Sequence, residues 1–264
     1  LNCTDNLIIS GFIGVATVGR YANYSMITQA IINILTILAN TIQPTIGDCF
    51  TEKNYRRNYE ILRQITFVFF CISCVVAVGL FSLITPFVRD IWLGPSYELG
   101  WGTAVLCIVV LMVKIMGLPL NMVMGVPGLF EKEKNVGASS AILNLVVSLA
   151  LVKPYGMTGV LLGTLVSYLL QICYRYIIFF RDFLQMREEA LRYARDLGEY
   201  LAVMAAEVAL MQKVVPIVYG NGGMVLFCIC FLLCILVPLA LDAVFFGRGW
   251  RLQSIVRMVR GMRR

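Results

Sequence analysis

Five long stretches of this chain contain no charged residue, and this feature restricts its fold more than any other. The stretches are 21–47, 64–88, 135–152, 154–174 and 214–241, and a sixth, 99–130, contains only Lys114. A helix needs about 20 mainly apolar residues to cross the roughly 30 Å hydrocarbon core of a bilayer. We therefore expect an all-α chain whose helices cross a membrane several times.

The composition agrees with this interpretation. Hydrophobic residues make up 59% of the chain and charged residues only 14%, whereas a soluble domain carries about 25% charged residues. The formal net charge of +7 comes from residues that lie between the apolar stretches, which is typical of membrane topology. We therefore expect membrane lipids around the protein and no nucleic-acid partner.

Two weaker segments complete a map of about eight spans. Residues 6–19 are uncharged but too short to cross alone, so we expect the first span to begin near or before Leu1, in a chain shortened at its N-terminus. Residues 200–219 are interrupted by Glu207 and Lys213 and form the weakest candidate span.

The distribution of Lys and Arg predicts the orientation, because these residues accumulate in cytoplasmic loops. If eight spans begin from the inside, Lys114 lies within a span and the outer segments hold Arg20, Arg89, Lys153 and Lys213. The other 17 of the 22 Lys and Arg residues then lie inside. Without the span at 200–219, the basic tail would move outside and this asymmetry would vanish. We therefore expect that segment to span and the C-terminus to be cytoplasmic.

These boundaries predict four regions. A six-span bundle occupies 1–180, a cytoplasmic amphipathic segment 181–199, two additional spans 200–246, and a basic cytoplasmic tail 247–264. Such a tail favours anionic lipid headgroups.

Two local patterns predict helix geometry. Pro119 and Pro127 lie in the long stretch 99–130, and interior prolines bend a helix, so we expect one long kinked helix there. Small residues recur at Gly156, Gly159, Gly163 and Ser167 and predict close helix packing in the sixth span.

Ionisable residues within spans are costly and are the first candidates for function. Asp5, Lys114 and Glu207 are predicted to line a polar pathway or to titrate during transport, and Arg20 at the outer rim is a further pathway candidate. The alternative is a structural pair of Lys114 with Asp5 or Glu207. Asp242 lies near the cytoplasmic end of its span, so we expect its side chain to snorkel to the interface or to be solvated, and we do not count it among the site candidates.

Catalytic and metal-binding motifs are absent from the sequence. The chain contains no His, no Gly-rich phosphate loop and no nucleophile elbow. Cys71 and Cys74 have CxxC spacing, but no second pair completes a metal site. We therefore predict no catalytic residue, no metal site and no cofactor, with H⁺ or Na⁺ as a possible coupling ion, and a protein that is not an enzyme.

The order of several short motifs resembles the second lobe of the polysaccharide-unit flippases, the O-antigen and capsule transporters of the MATE-like exporter superfamily. The motifs cover about residues 3–180. They are DNLIIS at 5–10, VGRY at 18–21, NYS at 23–25, IQPTIG at 42–47, PFV at 86–88, WLG at 92–94 with Tyr97, Asn144 with Leu149 and Leu151, and YGMTGV at 155–160 followed by Gly163 and Thr164.

This resemblance implies a fourteen-span transporter of the bacterial cell membrane, of which the eight spans here are the second half. It implies an oligosaccharide substrate linked through pyrophosphate to a polyprenyl lipid, moved by alternating access against an N-terminal lobe that this chain lacks. Lys114 is then a candidate for the pyrophosphate, and Asp5 for ion coupling or helix packing.

Two alternatives remain open at this point. A drug/cation antiporter of the same fold would favour acidic residues in its cavity, whereas Lys114 and the basic tail favour an anionic lipid substrate. A membrane-bound polysaccharide polymerase or transferase would show a large outer loop with paired polar residues, whereas the outer loops predicted here are short.

Overall fold

The computed structural model describes residues 8–50, 54–125, 130–220 and 222–247. The described residues form helices and contain no strand. In chain order the long helices are α1 (Val15–Phe50), α2 (Tyr55–Pro86), α3 (Trp101–Met124), α4 (Phe130–Tyr155), α5 (Met157–Ile177), α6 (Arg187–Tyr219) and α7 (Met224–Phe246). Wider π-helical turns extend α2 over Phe87–Trp92 and α5 over Ile178–Leu184, and Pro95–Tyr97 forms a 3₁₀ turn.

All seven helices are long and apolar enough to cross a membrane. The predicted all-α, multi-pass membrane architecture is therefore confirmed. The predicted first span is described only in part, since residues 1–7 lie outside the described residues. Residues 8–12 are helical, and the chain breaks at Gly14, whose φ of 116° suits glycine alone. Residues 15–19, which we expected in the first span, instead begin α1.

The predicted kinked helix over 99–130 is shorter in the structure. Helix α3 ends at Met124, Gly125 follows it, and Phe130 already belongs to α4. A Gly-rich segment with a proline ends a helix readily, because proline disfavours helical geometry in the residue before it. Pro119 lies inside α3 and is buried, whereas Pro127 lies outside the described residues.

Contacts divide the chain into two compact units along a different line from the predicted regions. The first unit comprises Leu1–Tyr55 and Ser96–Ala190, and therefore α1, α3, α4 and α5. The second comprises Arg56–Pro95 and Leu191–Arg264, and therefore α2, most of α6 and α7. The segment 187–199 and the span at 200–219 form the single helix α6. The predicted basic tail after Gly247 lies outside the described residues.

In the first unit, α4 and α5 form a tightly packed antiparallel hairpin. The Asn144 side-chain amide donates to Thr164 Oγ1 at 3.0 Å, and Gln171 Nε2 donates to Ser140 Oγ at 2.7 Å. The predicted close packing of small residues is confirmed, since a methyl group added to Gly159 would overlap the α4 backbone at Leu151. Glycine therefore allows the two helices to approach each other.

In the second unit, α2 and α6 run in the same direction and α7 runs opposite to them. Arg63 Nε donates to Asp196 Oδ2 at 2.7 Å, and Ser73 Oγ lies 3.8 Å from Met204 Sδ, so α2 and α6 lie side by side with their residue numbers increasing in the same direction. Phe70 stacks on Tyr200 at 4.4 Å between ring centroids, and Phe246 of α7 meets Phe70 edge-on.

Candidate functional site

A polar cavity of about 450 Å³ lies within the first unit, between α1, α3 and α5. Its polar lining residues are Gln29, Asn33 and Thr36 from α1, Lys114 and Asn121 from α3, and Tyr168, Gln171 and Arg175 from α5. Gly117 lies in the wall, where an added methyl group would meet Ile172 at 3.1 Å. A larger residue at 117 would therefore press on the neighbouring helix.

The helical repeat explains why these side chains converge. Residues 29, 33 and 36 share one face of α1, residues 114 and 121 one face of α3, and residues 168, 171 and 175 one face of α5. Polar groups on a membrane helix are stable when they face other helices or water. Three polar stripes on three adjacent helices therefore enclose one polar space.

The three helices run in the same direction past this space. A second, narrow cavity of about 20 Å³ is lined by lower-numbered residues of the same helices, including Tyr21, Cys107 and Leu161. Gln29 and Lys114 line both cavities. The small cavity has room for about one water molecule. Lys114 therefore stands where the polar space narrows.

Lys114 is held against an aromatic ring in the cavity wall. Its Nζ lies 4.8 Å from the ring centroid of Tyr168, which is a favourable cation–π distance. Nearby, Gln29 Nε2 donates to Asn33 Oδ1 at 2.7 Å, and Gln171 is tied to α4 through Ser140. These contacts fix the orientation of the polar side chains.

The charge of the cavity is positive. Its described lining includes two cationic side chains, Lys114 and Arg175, and no carboxylate. In a site of low dielectric constant, ammonium and guanidinium groups strongly favour an anion, and Arg can bind a phosphate through two parallel hydrogen bonds. The side-chain amides add donors and acceptors suited to hydroxyl groups. The arrangement can therefore bind a polar anionic group.

The structure brings one predicted site residue, Lys114, to this cavity. Arg20 is exposed near the start of α1 and does not line either cavity. Asp5 lies outside the described residues. Arg175, which the sequence analysis counted only as a topology signal, lines the cavity with Lys114. Its spacing from Tyr168 and Gln171 on one helical face was the signal that could have identified it.

Glu207, the remaining predicted residue, belongs to the second unit. It is buried beside Asp242 and Cys74, with exposures of 2%, 3% and 0%. The expectation that Asp242 is solvated is therefore wrong, because α7 turns its side chain toward α2 and α6. Among the described residues, these three form the one group whose donor atoms could hold a metal ion. CxxC spacing does not indicate this group, because its three members come from three different helices.

No family model matches this chain, and no curated protein is detectably similar to it.

Proposed function

We propose that this chain is part of a transporter of the bacterial cell membrane that flips polyprenyl-pyrophosphate-linked oligosaccharide units for surface polysaccharide synthesis. The observation that carries the proposal is the cationic cavity lined by Lys114 and Arg175. Its substrate crosses by alternating access between this lobe and a preceding lobe, driven by an H⁺ or Na⁺ gradient, with the C-terminus in the cytoplasm.

The size and chemistry of the cavity suit the headgroup of such a lipid. A volume of about 450 Å³ lies within the usual range of small-molecule sites, about 300–1,000 Å³. The two cations supply charge for the pyrophosphate, and the amides of Gln29, Asn33 and Asn121 supply hydrogen bonds for sugar hydroxyls. The polyprenyl chain needs no pocket, because it can remain in the surrounding lipid.

The charge of the cavity argues against the first alternative, and the short helix connections argue against the second. A drug/cation antiporter needs a cavity that attracts small cations, and Lys114 and Arg175 repel them. A polymerase or transferase needs a loop surface with paired polar residues, whereas α4 and α5 are joined at Gly156 alone and α6 and α7 by residues 220–223. Such short connections agree better with a protein that moves the headgroup than with one that modifies it.

Removal of either cavity cation tests the proposal. We expect Lys114→Gln and Arg175→Gln each to slow transport about tenfold or more, because a hydrogen bond to a charged group contributes about 1.5–3 kcal/mol. The measurement is transbilayer movement of a fluorescent polyprenyl-pyrophosphate saccharide in liposomes that contain the full-length transporter. Lys153→Gln and Arg181→Gln are matched controls, since both residues are exposed and neither lines the cavity.

Two results would contradict the proposal. The first is unchanged transport by Lys114→Gln and Arg175→Gln at normal expression. The second is an equal loss with a saccharide lipid that lacks the pyrophosphate, because the cations would then act on something other than its charge. Movement of small organic cations that becomes faster in Lys114→Gln would favour the antiporter instead.

A further inference from the structure

Three helices of the second unit each direct one potential metal ligand to the same point. Cys74 comes from α2, Glu207 from α6 and Asp242 from α7, and their ligand atoms all lie within 4.8 Å of one another. All three residues are at most 3% exposed. This cluster is independent of the cationic cavity, which belongs to the first unit.

The two carboxylates of this cluster lack a cationic partner in the part of the chain that the structure describes. Among the described residues, no N–H or O–H group donates to any of the four buried carboxylate oxygens of Glu207 and Asp242, and the only polar groups found to interact with them, apart from each other, are thiols. No ion pair among the described residues includes either side chain. Buried carboxylate charges without a counter-charge are strongly destabilising, so each carboxylate must be neutralised either by a proton or by a bound cation.

Among the described residues, the surroundings of the cluster offer no cationic side chain. On one side of the cluster, one or two helical turns away, the aromatic rings of Phe70, Tyr200 and Phe246 pack together. On the opposite side of the cluster, Val78 and Met211 pack among further apolar side chains. The nearest polar neighbours are thiols, since Cys74 lies beside Glu207 and Cys71 lies beside Asp242. Thiols are weak donors and carry no positive charge.

We propose that Cys74, Glu207 and Asp242 bind a divalent cation of the zinc class. One sulfur and two carboxylate oxygens form a donor set that Zn²⁺ accepts, whereas Mg²⁺, Ca²⁺ and Na⁺ prefer oxygen alone. The two carboxylates balance a double positive charge. Water would fill the fourth position of a four-coordinate shell, as it does where zinc has three protein ligands.

The ligand atoms need only small movements to close on an ion. Zn–O and Zn–S bonds of about 2.0–2.3 Å place the ligand atoms of a tetrahedral site roughly 3.5 Å apart. The ligand atoms of Cys74, Glu207 and Asp242 all lie within 4.8 Å of one another. Glu207 also lines a groove of about 370 Å³ whose other walls include Ala206, Leu210 and Leu241. Apart from Glu207, the lining of this groove is apolar.

Metal titration of the purified full-length chain in detergent tests the site. We expect Zn²⁺ to raise the melting temperature by about 5 °C or more at 100-fold excess over Kd. Mg²⁺, Ca²⁺ and Na⁺ should not raise it. Co²⁺ should show the visible absorption of a thiolate-ligated, tetrahedral ion. Glu207→Gln, Asp242→Asn and Cys74→Ser should each weaken Zn²⁺ binding roughly 100-fold, whereas Cys234→Ser, a buried cysteine outside the cluster, should bind normally.

The melting temperature in a chelator separates ligand loss from misfolding. Without metal, Glu207→Gln and Asp242→Asn should melt at or above the wild-type temperature, because each removes an unpartnered buried charge. A variant that only fails to fold would melt lower in both conditions. The proposal is overturned if wild type and the three ligand variants bind Zn²⁺ equally. It is equally overturned if Zn²⁺ does not bind, or if acid or Na⁺ alone stabilises the wild type and Zn²⁺ adds nothing.

Discussion

Asp196 shows how a single residue can join two membrane helices. Its carboxylate accepts from Arg63 Nε at 2.7 Å, and the two side chains are only 11% and 19% exposed. The Arg63 guanidinium also lies over the ring of Tyr59, 5.5 Å from its centroid. A charge pair this enclosed is hardly screened by solvent, so the loss of one partner leaves the other charge in a poor environment.

We therefore expect Asp196→Asn to lower the stability of the second unit by about 3 kcal/mol. This loss corresponds to a decrease in melting temperature of roughly 5–10 °C. Glu199→Gln on the same helix is the matched control, because its partner Arg195 is 84% exposed at 3.4 Å and such pairs contribute little. Equal melting temperatures for the two variants would show that the Arg63 pair does not hold α2 and α6 together.

A candidate functional residue could be recognised from the sequence only where its charge interrupts an apolar run. Lys114 was identified because a charge within an apolar run is conspicuous. Arg175 and Asp242 were misjudged because each lies near the end of such a run, where a charge is compatible with solvent. Which way an end residue points depends on the neighbouring helices, and that information is not local in sequence.

At the scale of elements, the α4–α5 hairpin depends on the absence of side chains. Ser148 Oγ donates to the Val160 carbonyl oxygen at 3.3 Å, and Gly159 and Gly163 lie against the α4 backbone nearby. In lipid there is little hydrophobic drive between helices, so close packing and hydrogen bonds between them carry the association. The hairpin in turn positions α5, which supplies Tyr168, Gln171 and Arg175 to the cavity.

We expect Gly159→Ala to destabilise the protein by about 1–3 kcal/mol, because its methyl group overlaps the backbone of Leu151. The matched control is Gly137→Ala, a helical glycine of α4 with no atom within 4 Å of the added carbon. This control should leave the stability unchanged or raise it by up to about 1 kcal/mol, since Ala favours helix over Gly. Thermal unfolding of both variants measures the difference. Gly159→Ala should lower the melting temperature, whereas Gly137→Ala should leave it unchanged or raise it.

The helices themselves were predictable, but their ends were not. Apolar runs with no charge, or with Lys114 alone, identified the cores of α1 to α5 and α7, and the distribution of Lys and Arg identified α6. The boundaries depend on whether a helix continues into water, which hydropathy does not report. Thus α6 continues from the polar residues after Arg187 through the apolar ones to Tyr219, where the sequence predicted two separate segments.

At the scale of the whole molecule, the directions of the helices can be compared with the number of times that the chain is expected to cross the membrane. Within the second unit α2 and α6 are parallel, and within the first unit α1, α3 and α5 are parallel. If each helix crosses once, the chain crosses four times from the start of α2 to the start of α6 and twice between successive members of α1, α3 and α5. Both counts are even, as parallel helices require. Under this condition, the side of the membrane on which each connecting segment lies follows from a single position.

The positive-inside distribution predicts which side that is, and thiol labelling of intact cells can test it. After replacement of the exposed Cys173 and Cys228 by serine, we expect an impermeant maleimide to label Ser96→Cys and Lys153→Cys from outside. Arg56→Cys and Glu188→Cys should react only after permeabilisation, because their segments carry the Lys and Arg that remain in the cytoplasm.

All four positions are exposed in the structure, so accessibility within the protein does not distinguish them and the membrane is the variable. Equal labelling of the four variants in permeabilised cells is the control. If Arg56→Cys and Glu188→Cys react in intact cells while Ser96→Cys and Lys153→Cys do not, the orientation is reversed. The higher-numbered ends of α1, α3 and α5, toward which the polar cavity extends from Lys114, would then face outward. A lipid-linked substrate made in the cytoplasm would no longer meet that end of the cavity first, and the flippase proposal would lose its direction of transport.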